Sequence, residues 1–452
     1  MTNISNFQSQ PLWYRILNKS WAYSYPAGTK IKLEKDDLIR RARKSAGLND
    51  LGTDFWDEPL ERMLSSMNNE ARLNPAGRFI SRERLVNLLS IRLRAAEYFS
   101  RFPEILEQEL YPAWIIVGLQ RTGTTKLQRL LSADPNHRVL PSWEAINPVP
   151  LEKVRITKYE PERSGARRSQ LRSKANPEDC HCEDPEYSGD VATASEDKRI
   201  KIARTSVNAV KYISPGFFTI HPLDPLLPEE DVLLLDISFM STTTEAMMDV
   251  PSYASWLEST DQTPAYEYYV KLLKLMQWLR PGKRWLLKSP HHLEFPHLIA
   301  NQMPDVKFIW PHRTIYESIP SFLSMLTYNH LIFSDEVDPN TIAKRWIRKT
   351  GYALDKTIEF RHQDNHDSMF LDVYYEDLVK DSMKEMEKIY RMDGGVTPEL
   401  TERFIRHEKE HPHQKHGVHR YDLADFGMTT TDIDKHTARY QQFIKTLQDQ
   451  TG

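Results

Sequence analysis

Cysteine is almost absent from this chain of 452 residues, and the two present, Cys180 and Cys182, stand one residue apart. That is too close for an ordinary structural bridge, and no third cysteine offers another pairing, so a disulfide-stapled secreted fold is excluded and a reducing cytoplasm is the simplest setting. An excess of one charge is missing too. With 60 basic and 63 acidic residues the formal net charge is -3, so the overall balance does not argue for nucleic acid or an anionic membrane as the main partner, although it allows a local basic pocket. No segment approaches the roughly 18 consecutive apolar residues of a membrane span. Residues 1–21 also lack the basic stretch and apolar run of a secretory leader. These absences predict a soluble, non-secreted protein.

The composition that remains is that of a folded chain, with 40% hydrophobic and 27% charged residues, and the length allows two or three domains. The texture changes near residue 110. Residues 1–110 read as a helical N-terminal region: in "SRERLVNLLSIRLRAAEYFSRF", Val86, Leu89, Leu93 and Ala96 recur at helical spacing behind Ser81, a candidate N-cap. Over 111–452 the short apolar runs "WIIVG", "DVLLLDI", "RWLLK", "VKFIW" and "MFLDVYY" alternate with longer helical stretches. Near-continuous apolar strands suit a parallel sheet buried on both faces, so the expected fold is an α/β domain with a P-loop-like parallel sheet flanked by helices. "RWLLKSPHHLEFPHLIANQMP" and "VKFIWPHRTIYESIPSFLSML" read as a strand-helix-strand-helix run, and ligands of such sheets bind at the carboxyl ends of strands. Residues 160–200 form a polar, charged insertion expected to be exposed. Its Cys180-His181-Cys182 has no second ligand pair at a recognisable spacing, which favours a solvated loop over a metal site.

Residues 115–134, "IIVGLQRTGTTKLQRLLSAD", have the shape of a phosphate loop: an apolar strand, a turn framed by Gly118 and Gly123, then a helix opening near Thr124. Glycines let the turn aim its N–H groups at an anion, and the helix adds its positive end. A magnesium-dependent triphosphatase, however, needs a lysine where Thr124 stands, and Lys126 comes two positions late. Arg121, inside the loop, instead offers a fork of donors suited to phosphate or sulfate. The stretch "PHRTIYESIPS" repeats the anion theme with Arg313 and Ser321. Proline favours the first position of a helix, so Pro320 predicts that the Ser321 hydroxyl and N–H sit at a helix N-terminus.

The pair "GLQRTGTT" and "HRTIYESIPS", together with "PSWEAINPVP", "LKSPHHLEF", "YYEDL" and "HGVHRYDLADFG", resembles the sulfotransferases that use 3′-phosphoadenosine 5′-phosphosulfate (PAPS), most closely the bacterial-type branch with arginine in the loop. The resemblance implies that Arg121, Thr122, Gly123, Thr124 and Thr125 hold the 5′-phosphosulfate and that Arg313 and Ser321 hold the 3′-phosphate. It also implies that Tyr375 lies near the adenine and that Arg420 closes over the 3′ side. Gln120 and Lys126 depart from the family pattern, which has a proline and an apolar or aromatic residue there.

Sulfuryl transfer needs an in-line acceptor and fixed charge around the transferring group, and no metal is required if cations such as Arg121 and Lys288 supply that charge. A hydroxyl acceptor also needs a base. Glu144 resembles the glutamate base of the tyrosyl-protein branch and is preferred. His291 resembles the histidine of the cytosolic branch, though it stands three residues after Lys288 instead of two, and its neighbour His292 reads as packing or solvated. The expected activity is transfer of a sulfuryl group from PAPS to a hydroxyl of a small-molecule acceptor. "FFTIHP" and "FMSTTTEAMMDVPSYASWLE" could line the acceptor pocket, with the N-terminal helices as a wall. Two alternatives stay open: a nucleotide kinase with a degenerate loop, and a non-catalytic sensor of 3′-phosphoadenosine nucleotides.

Overall fold

The computed structural model describes residues 10–24, 31–151, 197–303, 305–363, 366–410 and 422–451. Five short strands, β1 (Ala113–Ile116), β2 (His137–Val139), β3 (Arg284–Lys288), β4 (Lys307–His312) and β5 (Phe370–Tyr374), form one sheet in the order β2-β3-β1-β4-β5. Every pairing is parallel. Side chains alternate across the sheet, so Ile115, Trp285, Leu287, Phe308 and Trp310 enter the main core, while Trp114, Ile116, Leu286 and Ile309 pack on the other face. Burial on both faces is why the strands read as unbroken apolar runs.

Although β3 and β4 follow one another in sequence, they do not pair; β1 lies between them, with Ile116 in register with both Lys288 and Ile309. The connection out of β1 runs toward β2 and that out of β4 toward β5, in opposite directions. A doubly wound sheet opens a ligand crevice at the carboxyl ends of strands where its connections diverge in this way.

Five helices matter for the site: α1 (Pro75–Arg101), α2 (Thr124–Leu131), α3 (Thr263–Leu279), α4 (Ile315–Phe333) and α5 (Pro339–Arg361). With Lys35–Ala46 and Asp57–Asn69, α1 makes the N-terminal region helical as expected, but its start differs. Asn74 is the N-cap, its side chain accepting from the Gly77 N–H at 2.7 Å, Pro75 takes the first helical position, and Ser81 lies buried inside the helix. Leu89 and Leu93 are buried, whereas Val86 and Ala96 are half-buried.

The "DVLLLDI" run is not a strand. It forms a helical turn, Val232–Leu235, continuing into a 3-10 turn, Asp236–Ser238; a short apolar run is ambiguous between buried strand and buried helix. The three-residue β2 carried no signal of its own. Of the polar insertion only 197–200 is described, and residues 198–200 open the helix Lys198–Ile213; Cys180, His181, Cys182 and Arg420 lie outside the described residues. Among the described residues, no helix is long and apolar enough to cross a membrane.

Candidate active site

The chain leaves β1 with the Val117 N–H still bonded to the Ile309 carbonyl at 3.0 Å, and then turns at Gly118. A Cβ there would lie 2.6 Å from Pro311 Cγ, so the approach of β1 to the end of β4 requires glycine. Gly123 is fixed twice over. Its φ is +88°, and a Cβ would stand 2.7 Å from the Tyr375 ring. Between them the Thr122 hydroxyl donates to the Leu119 carbonyl at 2.6 Å and closes the turn. The first N–H groups of α2, from Thr124 onward, have no intrahelical acceptor and face this loop.

Arg121 holds the centre in a left-handed conformation, φ +69°, uncommon for a residue with a side chain. Three contacts keep it there. Its Nε donates to Ser321 Oγ at 3.0 Å, its Nη1 donates to the Ile220 carbonyl at 3.1 Å, and its own carbonyl accepts from Arg313 Nη1 at 3.0 Å. The two anion motifs read separately in the sequence are thus joined at one residue. Arg313 lies over the Tyr375 ring, 4.3 Å from its centroid, and donates to Glu317 Oε2 at 2.6 and 3.1 Å. Lys126 does not reach the loop: its Nζ donates to the Leu378 carbonyl at 3.2 Å and pairs with Glu408 at 2.9 Å.

The expectation for Ser321 requires correction. Helix α4 begins at Ile315, after Thr314, and Pro320 lies in its second turn, so Ser321 is in the body of the helix. Its hydroxyl nevertheless reaches the loop through Arg121.

Lys288, at the carboxyl end of β3, is buried and donates to Glu230 Oε1 at 3.0 Å. Sequence reasoning missed Glu230. Backbone bonds on both sides place it: the Glu229 N–H donates to the Leu140 carbonyl at 2.9 Å and the Asp231 N–H to the Lys288 carbonyl at 3.2 Å. His221, from "FFTIHP", belongs to the same group. Burial lowers its affinity for a proton, Glu229 and Glu230 raise it, and Lys288 and Arg121 lower it again, which places all four charges around one imidazole. Neither residue carries a local motif, so only the fold could reveal them.

Two comparisons with known proteins bear on this arrangement. The sequence profile of the sulfotransferase family matches residues 112–395. The chain belongs to the sulfotransferase family. Among solved structures, sulfotransferase STF1 from Mycobacterium tuberculosis H37Rv is similar at 27% identity and TM-score 0.71, over 90% of this chain and 99% of that one. Sulfotransferase STF9 from Mycobacterium avium shares the fold at 23% identity and TM-score 0.74, over 92% and 97%. No curated protein matches by sequence.

The two base candidates of this sulfotransferase stand in unlike settings. Glu144 is buried with both oxygens engaged, Oε1 by Arg138 Nη2 at 2.6 Å and Oε2 by Arg280 Nη2 at 2.8 Å. Burial alone would push its carboxyl up, but the two guanidiniums outweigh burial and hold it at about 2. Such a carboxylate has little tendency to take a proton. His291 is also buried, yet among the described residues only Nδ1 has a partner, the Thr242 hydroxyl at 3.2 Å, and Nε2 has none. Burial, with His292 and Lys349 beside it, holds the imidazole well below its ordinary 6.5, so it is neutral near pH 7. The neighbouring His292 is structural: Nε2 pairs with Asp231, just ahead of the Val232–Leu235 turn, at 3.0 Å and Nδ1 with the hydroxyl of Tyr266 on α3 at 2.9 Å.

Proposed function

We propose that this sulfotransferase moves a sulfuryl group from PAPS to a hydroxyl of a small-molecule acceptor. The observation that carries the reading is the junction at Arg121, which makes the loop and the Arg313–Ser321 motif one continuous cationic surface at the carboxyl ends of β1 and β4. The donor fits these residues: glycines at 118 and 123 bring backbone close to an anion, and the orphan N–H groups of α2 point the same way. In this reading Arg121, Thr122, Gly123, Thr124 and Thr125 take the 5′-phosphosulfate, Arg313 and Ser321 take the 3′-phosphate, and Tyr375 borders the adenine. Arg420 is proposed from the family motif alone.

The acceptor oxygen forms the new S–O bond as the bond from sulfur to the 5′-phosphate oxygen breaks, leaving 3′-phosphoadenosine 5′-phosphate (PAP) and a sulfate monoester. Arg121 and Lys288 offset the charge that builds on the transferring group, and Glu230 holds the Lys288 ammonium in place. The acceptor proton passes to His291 Nε2, which is neutral and unpartnered, in preference to Glu144, whose lone pairs are taken. Calorimetry tests the donor: PAP should bind equally well with and without a chelator. Tighter binding of ATP with magnesium than of PAP would overturn the reading.

A further inference from the structure

Beside the loop, on the side away from Arg313, lies a narrow crevice bounded by Leu119, Gln120, Phe322, Trp346, His291 and Glu294. Gln120 precedes Arg121 and Phe322 follows Ser321, so the crevice opens where the transferring group would be presented. Leu119, Phe322 and Trp346 give it apolar walls, and Gln120, Thr242, Lys349 and Thr350 add polar groups to its lining. Its floor carries His291 and Glu294, both more than nine-tenths buried: among the described residues His291 Nε2 has no partner, and Glu294 lies beside it on the lining. Burying a polar atom without a partner is costly, and native proteins rarely do so without a reason.

The two groups are spaced by the backbone. Pro290–Leu293 is a 3-10 turn, and the Glu294 N–H donates to the His291 carbonyl at 3.2 Å. Residues three apart in a 3-10 turn eclipse one another, about 6 Å apart along the axis. A ligand touching both therefore presents two hydrogen-bonding groups close together on one head.

The charge in the crevice narrows the ligand further. Lys349 forms a buried ion pair with Glu245, which neutralises both. Burial pushes Glu294 up to about 7, with Lys349 opposing and Glu245 and Glu258 adding to the effect. An anionic acceptor would meet either a neutral floor or a like charge. The enclosed part is small. Its volume of about 40 Å³ holds on the order of three to four non-hydrogen atoms at roughly 10–15 Å³ each, which suits a two-carbon head better than a sugar ring or a fused polycycle.

Building on the sulfotransferase reading with His291 as base, we propose that this crevice is the acceptor subsite and selects an uncharged or cationic head with two hydrogen-bonding groups on adjacent carbons. The reacting hydroxyl meets His291 Nε2, and a second O–H or N–H is donated to Glu294. A terminal 1,2-diol and a 2-amino alcohol share this chemistry; the slim chain behind the head runs along the apolar side chains of Leu119, Phe322 and Trp346.

The test uses the full chain saturated with PAP and three probes: hexane-1,2-diol, 2-aminohexan-1-ol and hexan-1-ol. Binding is followed by ligand-observed NMR titration. At least one two-headed probe should bind tenfold or more tightly than hexan-1-ol, and the better of the two distinguishes hydroxyl from ammonium. Glu294→Leu should abolish the preference, whereas Glu294→Gln should keep it for the diol and lose it for the amino alcohol. Equal affinity for all three probes, no detectable binding of any, or a preference that survives Glu294→Leu would overturn the proposal. PAP affinity, measured separately, keeps the failures apart: wild-type protein that binds PAP but shows no preference refutes only this subsite, while failure to bind PAP refutes the sulfotransferase reading beneath it.

Discussion

Two buried polar clusters flank β3, and they differ in one respect. Around Glu144 the carboxylate itself is fully answered: Arg138 and Arg280 take both oxygens, Arg138 also lies over Trp285 at 4.7 Å, and Arg199 covers Trp143 at 4.5 Å. Around His291 one ring nitrogen is left open, with Nε2 unpartnered among the described residues and Glu294 beside it on the lining of a crevice next to the loop. A carboxylate held by two cations fixes architecture, whereas an open imidazole nitrogen beside a crevice leaves room for a ligand. In the reading proposed above, the acid favoured from sequence serves the scaffold and the less favoured histidine serves the chemistry.

The largest effect that can break the comparison is on turnover. His291→Asn should lower kcat by about two to four orders of magnitude while PAP affinity, measured by calorimetry, stays within a factor of two. Because the imidazole titrates well below 6.5, the wild-type rate should be flat from pH 6.5 upward and fall only in more acidic buffer. A rate that rises through pH 7 would contradict a desolvated neutral base.

Glu144→Gln should reverse the pattern, costing about 3–5 kcal/mol of stability, since the buried Arg138 and the half-buried Arg280 lose their counter-charge, with turnover per folded molecule changed only a few-fold. Urea titration measures the first quantity. The sign of its pH dependence follows from the depressed carboxyl: the folded value is about 2 against an ordinary 4.5, so the stabilisation is complete above pH 4.5 and is lost as the pH falls toward 2. That window represents about 3 kcal/mol at 1.36 kcal/mol per unit, and the gap between wild type and variant should shrink across it. A gap independent of pH would show that the ion pairs do not carry the stability.

How far the site was legible follows the same division between local and long-range order. The loop was readable because its chemistry is local: Gly118 and Gly123 serve turns a few residues long, and α2 begins where its sequence begins. Four of the five strands were readable from their apolar runs. Glu230 was not, because what places it at Lys288 is pairing of its neighbours with Leu140 and with a carbonyl of β3, far away in sequence; His221 was reached only as part of the stretch "FFTIHP". Pro320 misled for a related reason. Proline usually opens a helix, yet here Thr314 and Ile315 open it and Pro320 is carried in its second turn, giving up one backbone bond that the buried packing of α4 offsets. The pairing of Glu144 with two guanidiniums was also unreadable, since Arg280 reaches it from 136 residues away.

On the loop's other side, Arg313→Ala should weaken PAP binding by about 1.5–3 kcal/mol, the range for a lost charge-assisted contact. Adenosine 5′-phosphate, which lacks the 3′ group, should be affected much less in the same titration. Equal losses for both ligands would remove the assignment of Arg313 to the 3′-phosphate and leave it as a brace for the Arg121 carbonyl.

The smallest effect is the most discriminating. Ser321 was expected to meet the 3′-phosphate from a helix end, but it sits inside α4 with its oxygen accepting from Arg121 Nε. Its hydroxyl proton is still available for a ligand, so Ser321 can act by orienting Arg121, by donating to the 3′-phosphate, or by both. Ser321→Ala should cost about 0.5–1.5 kcal/mol, the net worth of one hydrogen bond. If orientation dominates, PAP and adenosine 5′-phosphate lose affinity equally, because the Arg121 guanidinium serves the 5′ side they share. If direct contact dominates, only PAP weakens, and the double variant with Arg313→Ala loses less than the sum of the two single variants because both act on one phosphate. Equal and additive losses would make Ser321 part of the scaffold that holds Arg121 at φ +69°, placing it with Glu144 on the architectural side of the molecule.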